Sequence, residues 1–215
     1  MGLHLPISRR SFGVWTLSAT AAAVSVTIPL DDAAAEILST DEALATRVLG
    51  SDDAPITMIE YSSLGCPHCM AFHRDTLPQL KKDYIDTGKV RLEYRDFPLG
   101  TRALAAAMIT RCAPKERYFG MVELMFQNQS DWSQSPNPIE SLTRVAKFGG
   151  LSGSDVEACL QNEDLIEGIR SRAEAGSDEH NVEATPTFIL QPSGRKIEGN
   201  QPYEAFRAAL DEELV

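Results

Sequence analysis

At 215 residues the chain can build one domain with a sizeable core, or one domain carrying an insertion. Its 43% hydrophobic and 24% charged residues are ordinary for a soluble globular protein. A net charge of −11 argues against a general nucleic-acid-binding surface, which has to be basic to meet phosphate.

Residues 1–35 read differently from the rest. Arg9 and Arg10 are followed by an uncharged run from Ser11 to Leu30 and then by Ala33-Ala34-Ala35. Basic, then apolar, then small is the order of a secretory signal peptide, here cleaved after Ala35. The competing reading is a membrane anchor, since the uncharged run is long enough to span a bilayer. Ser18, Thr20, Ser25 and Thr27 dilute that run and favour cleavage. Ser8-Arg9-Arg10-Ser11-Phe12 also has the form of a twin-arginine signal, the alternative to an ordinary one. Either route predicts an oxidising compartment, most simply a bacterial periplasm. All four cysteines, Cys66, Cys69, Cys112 and Cys159, lie after the leader and are permitted to pair there.

After a short acidic lead, Ile56–Ser62 (ITMIEYS) is rich in β-formers and predicts a buried strand. Gly65 turns the chain and Pro67 suits the first turn of a helix, where a missing N–H costs nothing. Phe72, Leu77, Leu80 and Tyr84 recur at helical spacing, with Pro78 predicting a kink. Lys89–Phe97 predicts a second strand, which completes a right-handed βαβ unit. From Arg102 to about His180 the pattern is helical throughout. Thr185–Gly199 then predicts an antiparallel hairpin turning at Pro192-Ser193-Gly194, and an amphipathic helix closes the chain. The expected class is α/β, with residues 101–180 as a helical insertion between residues 36–100 and 181–215.

Cys66-Pro67-His68-Cys69 begins the helix that follows the first strand. A helix start offers unpaired N–H groups and the positive end of the macrodipole, both favouring a thiolate. A protonated His68 would add to that. Cys66 is expected to be the exposed, attacking thiolate and Cys69, one turn on, the buried resolving thiol. The metal reading takes Cys66, Cys69 and His73, at i, i+3 and i+7, as three zinc ligands, but a nearby fourth is missing. A purely structural Cys66–Cys69 staple is weak, because so short a loop restrains the unfolded chain little. Cys112 and Cys159, 47 positions apart, would close a loop worth roughly 4 kcal/mol. Two buried free thiols are the alternative. Pro186, opening the third strand, is best explained by a cis bond or an edge position.

Cys-Pro-His-Cys after an apolar strand, a helical stretch, and Thr185-Pro186 before a late strand together resemble the DsbA family of periplasmic thiol–disulfide oxidoreductases. The resemblance runs from about Val48 to Leu214 and includes DAPITMIEYSSLGCPHC, YIDTGKVRLEYRDFPL, ATPTF and GNQPYEAF. It implies a thioredoxin-like fold with an inserted helical domain and a cis Pro186 beside the dithiol. It makes Cys66 the nucleophile, Cys69 the resolving cysteine and His68 the stabiliser of the Cys66 thiolate. The backbone of Thr185 would contact an extended substrate. Glu60 would be a buried acid assisting proton transfer, with Arg95 where relatives carry a partner lysine; arginine holds its proton, so the relay would fall on Glu60.

The function so implied is an oxidase that introduces disulfides into unfolded or reduced exported proteins and is reoxidised by a DsbB-type membrane partner, with no cofactor and no metal. A disulfide isomerase or reductase of the same fold is the nearest alternative, and a non-catalytic metal- or peptide-binding module the next. Isomerase relatives dimerise through an N-terminal domain, and Glu36–Asp53 is too short to supply one, so a monomer is expected.

Overall fold

The computed structural model describes residues 1–2 and 38–215. The expected leader, with its twin-arginine string and its cleavage point at Ala35, otherwise lies outside the described residues. Among the described residues no helix is long and apolar enough to cross a membrane.

A five-stranded sheet in the order β1-β3-β2-β4-β5 organises the chain. Its centre is β2 (Ile56–Ser62), buried at every residue, as a strand covered on both faces must be. Parallel to it runs β3 (Val90–Asp96), with Glu60 opposite Tyr94 and Tyr61 opposite Arg95. On the other side β4 (Thr187–Gln191) lies antiparallel to β2 and forms a hairpin with β5 (Arg195–Glu198), turning through Gly194 at φ 78°. The segment before β2 forms two short elements. In α1 (Thr40–Leu44), Ser39 and Glu42 make a reciprocal capping box. The three-residue β1 (Arg47–Leu49) adds an antiparallel edge to β3. Both sheet edges are therefore short, and β5 carries Arg195, Lys196 and Glu198.

The helix after β2 begins as α2 (Pro67–Ala71), widens through a π-type turn at Phe72–Thr76, continues as α3 (Leu77–Leu80) and widens again at Lys81–Ile85. Pro78 has no N–H for the carbonyl four residues back, and the first wide turn, closed by Leu77 N–H to the Phe72 carbonyl, is the form its kink takes. Under this helix Phe72 packs on Phe188 and Phe206, with ring centroids 4.5 and 5.4 Å away. Phe206 comes from the closing helix α10 (Tyr203–Glu213). Such aromatic pairs add about 0.5–1.5 kcal/mol each beyond burial, and this trio anchors the helix that carries the cysteines.

Between β3 and β4 come α4 (Thr101–Cys112), α5 (Tyr118–Gln127), α6 (Gln129–Ser133), α7 (Pro138–Phe148), α8 (Gly153–Leu160) and α9 (Glu163–His180). Their apolar core includes Met108, Met125, Trp132 and Leu142 and runs without a break to Leu64, Cys66 and Cys69. Cys112 and Cys159 join α4 to α8 as a disulfide, with Cα atoms 6.3 Å apart. The Arg111 guanidinium of α4 pairs with Asp96 at the end of β3 and donates to the Ala43 and Ala45 carbonyls at 2.9 and 3.0 Å. One buried ion pair thus ties helices, sheet and N-terminal segment together. On the opposite sheet face α9 comes so close at Gly176 that a Cβ there would collide with the Tyr61 ring.

Candidate active site

Cys66 is the residue just before α2, extended at φ −86° and ψ 122°, and Pro67 takes the first helical position. The expectation that Cys66 is exposed is corrected: it is only 7% exposed, against 0% for Cys69. What covers it comes from 119 residues away. The Thr185 carbonyl, just before β4, accepts the Cys66 thiol at 3.3 Å. Once ionised, the Cys66 sulfur accepts from the Cys69 thiol first of all, then from the Thr185 hydroxyl and from the backbone N–H groups of Cys69 and His68. Together these outweigh the opposing effect of burial and lower its pKa from an ordinary 9.0 to about 5. The Thr185 hydroxyl is buried without another partner among the described residues, so it is available for this.

Cys69 goes the other way. Burial, the hydrogen bond it gives Cys66 and the nearby Glu60 charge push its thiol well above the ordinary range. The Ser63 N–H reaches its sulfur at 3.5 Å, and the Ser62 hydroxyl pulls weakly in the opposite direction. One thiol is held ionised beside one held protonated, which is the condition for a nucleophile and a resolving group in a single dithiol.

Glu60 is fully buried, two residues before Ser62 on the same face of β2. Its partner is not Arg95. The strand register pairs Arg95 with Tyr61, on the opposite face, and Arg95 instead bonds Glu93 and the Tyr61 hydroxyl, both at 2.7 Å. The group that meets the Glu60 carboxylate is His73, whose Nε2 lies 2.9 and 3.1 Å from its two oxygens. The third candidate zinc ligand is therefore occupied with a carboxylate. His68 and Pro67 are exposed, and the contact His68 makes with the Cys66 sulfur is through its backbone N–H. The Thr185–Pro186 bond is cis, Pro186 is buried, and its carbonyl accepts the Gly199 N–H at 2.8 Å.

One residue of the site carries no signal in the sequence. Gln129, at the start of α6 and 6% exposed, donates its side-chain amide to the Leu64 and Cys66 carbonyls at 2.6 and 3.0 Å. It fixes the active-site loop from the helical segment, and only the packing of α6 against that loop reveals it.

A mixed sheet, a dithiol opening a helix and a cis proline beside it define the thioredoxin-fold thiol proteins as a class. The thioredoxin family's sequence profile matches residues 42–212, and the chain belongs to that family as a DsbA-type member. Disulfide bond formation protein D of Bacillus subtilis is 30% identical over 175 residues, 78% of this chain and 76% of its own. A Rickettsia bellii relative is 29% identical over 168 residues; there the chain spans only 64% of the relative's length. Crystalline alpha-DsbA1 of Wolbachia pipientis superposes with a TM-score of 0.73 at 30% identity, covering 79% of this chain and 90% of that one.

Proposed function

We propose that this protein is a thiol–disulfide oxidoreductase that introduces disulfides into exported proteins by exchange at Cys66 and Cys69. The observation that carries the reading is the opposed pair of thiols, Cys66 lowered to about 5 and Cys69 raised. Lowering the free energy of the Cys66 thiolate stabilises the reduced form, which makes the disulfide form a stronger oxidant. The name of the Bacillus subtilis relative, a disulfide bond formation protein, supports the same direction.

In the cycle, a substrate thiolate attacks the Cys66 sulfur of the Cys66–Cys69 disulfide and the bond's electron pair stays on Cys69. A second substrate thiolate then attacks the substrate sulfur of the mixed disulfide, expelling Cys66, an easy leaving group because its thiolate is stabilised. The substrate leaves oxidised and the enzyme reduced. A membrane disulfide donor of the DsbB type restores the pair. The cis Thr185–Pro186 segment, packed against Cys66, offers backbone to an extended chain, and the natural place for the work is the periplasm. The helical segment 101–180 acts as an inserted domain over the dithiol, and the protein works as a monomer. His68 adds its backbone N–H, and its charge when protonated, to the stabilisation of Cys66.

Equilibration with glutathione tests the reading. A dithiol far more oxidising than thioredoxin's supports the oxidase; one near thioredoxin's refutes it in favour of a reductase or isomerase. With Cys69→Ala, exported proteins should remain covalently attached to Cys66, and an empty trap would count against any exchange activity.

A further inference from the structure

Cys69 is sealed, at 0% exposure, yet its sulfur must gain and lose a proton in every cycle. The groups around it lead away from the substrate side. Ser62, whose hydroxyl makes no well-aligned hydrogen bond among the described residues, and Glu60 share one face of β2 with Cys69 above them. Glu60 is bonded to His73, and the His73 ring, with its side chain 8% exposed, lines an open groove of 660 Å³. The groove lies between the α2–α3 helix and α5, with Met70, Leu77, Phe119 and Phe126 among its walls. The ring is held in place by Phe126 and Tyr94, at centroid distances of 4.5 and 5.9 Å.

Building on the oxidoreductase reading, we propose that His73 is a proton port, which passes protons through Glu60 between the solvent of this groove and the buried Cys69 sulfur. When a substrate thiolate opens the Cys66–Cys69 bond, the released electron pair leaves Cys69 as a thiolate in surroundings that favour the thiol. The Glu60 carboxylate takes a proton across its hydrogen bond from His73 Nε2 and passes it to Cys69, and His73 recovers one from the groove. On reoxidation the transfers reverse: the Cys69 thiol gives its proton to Glu60, attacks the Cys66 sulfur of the mixed disulfide and expels the partner's thiolate. Histidine suits this place because it can accept and release a proton near neutral pH, where arginine cannot. The titratable and charged groups facing it are Glu60 from β2, Tyr94 from β3, Arg74 and Lys81 from its own helix and Glu123 from α5. His73 is a positioning and relay residue, since it touches neither substrate nor the reacting sulfurs.

The test uses His73→Ala, which opens Glu60 to the groove, and His73→Asn, which keeps the shape of the side chain. Both should resolve a glutathione mixed disulfide about a hundredfold or more slowly, the lower end of the usual range for a lost acid–base group. Alkylation of Cys66, which needs no proton at Cys69, should proceed as in the parent. Added imidazole, entering the groove, should restore H73A but not the slow variant Glu60→Gln, and H73N should change the pH profile of the rate. An unaltered rate in both His73 variants overturns the proposal. So does a slow H73A that imidazole leaves untouched while H73N keeps the parental pH profile. Failure of the oxidoreductase reading looks different, because the parent protein itself would then form no glutathione mixed disulfide.

Discussion

Replacing Cys69 by alanine should raise the pKa of Cys66 by a predictable amount. The Cys69 thiol is the largest of the influences that lower Cys66 from 9.0 to about 5. A hydrogen bond to a charged group is worth about 1.5–3 kcal/mol, and one pKa unit about 1.4 kcal/mol. Removing it should therefore move Cys66 up by about one to two units, to about 6–7. At about pH 6 the parent should be about 90% thiolate and C69A about 10–50%. Thiolate ultraviolet absorbance followed against pH reads this directly, and the pH profile of iodoacetamide alkylation reads it independently. Cys69 does not confuse the parent's curve, because its own thiol titrates far above this range. An identical midpoint in parent and variant would refute the assignment of the leading influence, and a parental midpoint near 9 would refute the whole electrostatic account. The sign of the linked stability follows. Cys66 ionises more readily folded than unfolded, so the stability it lends the reduced protein is complete above the ordinary thiol range and is lost as pH falls through about 5. The oxidised protein has no such dependence on Cys66.

Three further changes test the scaffold. Gln129→Leu strands the Leu64 and Cys66 carbonyls and should cost about 1–3 kcal/mol in urea unfolding, with a loss inside experimental error counting against the clamp. Asp96→Asn leaves the Arg111 guanidinium buried without its counter-charge and should cost about 3–5 kcal/mol, while the apolar double change D96L/R111M should cost less than D96N alone. Removing the disulfide as C112A/C159A should lower stability by about 4 kcal/mol on the chain-entropy view and leave the Cys66 titration midpoint unmoved. A shifted midpoint would mean that the α4–α8 link also shapes the dithiol.

What could be read from the sequence was whatever is encoded locally. The all-apolar character of Ile56–Ser62, the proline opening α2 and the turn at Ser193-Gly194 each state their own geometry, and strands and helices stand where those signals fall. The short α1 and β1 were not legible, because five and three residues hold too little periodicity and β1 exists only by pairing with β3. The partner of Glu60 was misassigned for a related reason. Strand register decides which face a residue takes, and a shift of one position exchanges Tyr94 for Arg95. The resemblance set Pro186 beside the dithiol without showing that the Thr185 carbonyl, 119 residues away, covers Cys66, and the clamp from Gln129 spans 63 residues, a distance across which sequence pattern says nothing.

Under the proposed function the clients are incompletely folded chains, and the sheet's margins have a consequence for them. Such chains are full of extended segments with unsatisfied backbone, and any long bare strand margin would zip them on by ladder pairing. Here one margin is three residues long, and the other is studded with Arg195, Lys196 and Glu198. A passing client therefore finds little to adhere to along the flanks. On that reading a client lies down on the short stretch of backbone at Thr185 and Pro186, beside the sulfur, so contact and chemistry would coincide and release would not need to peel away a strand.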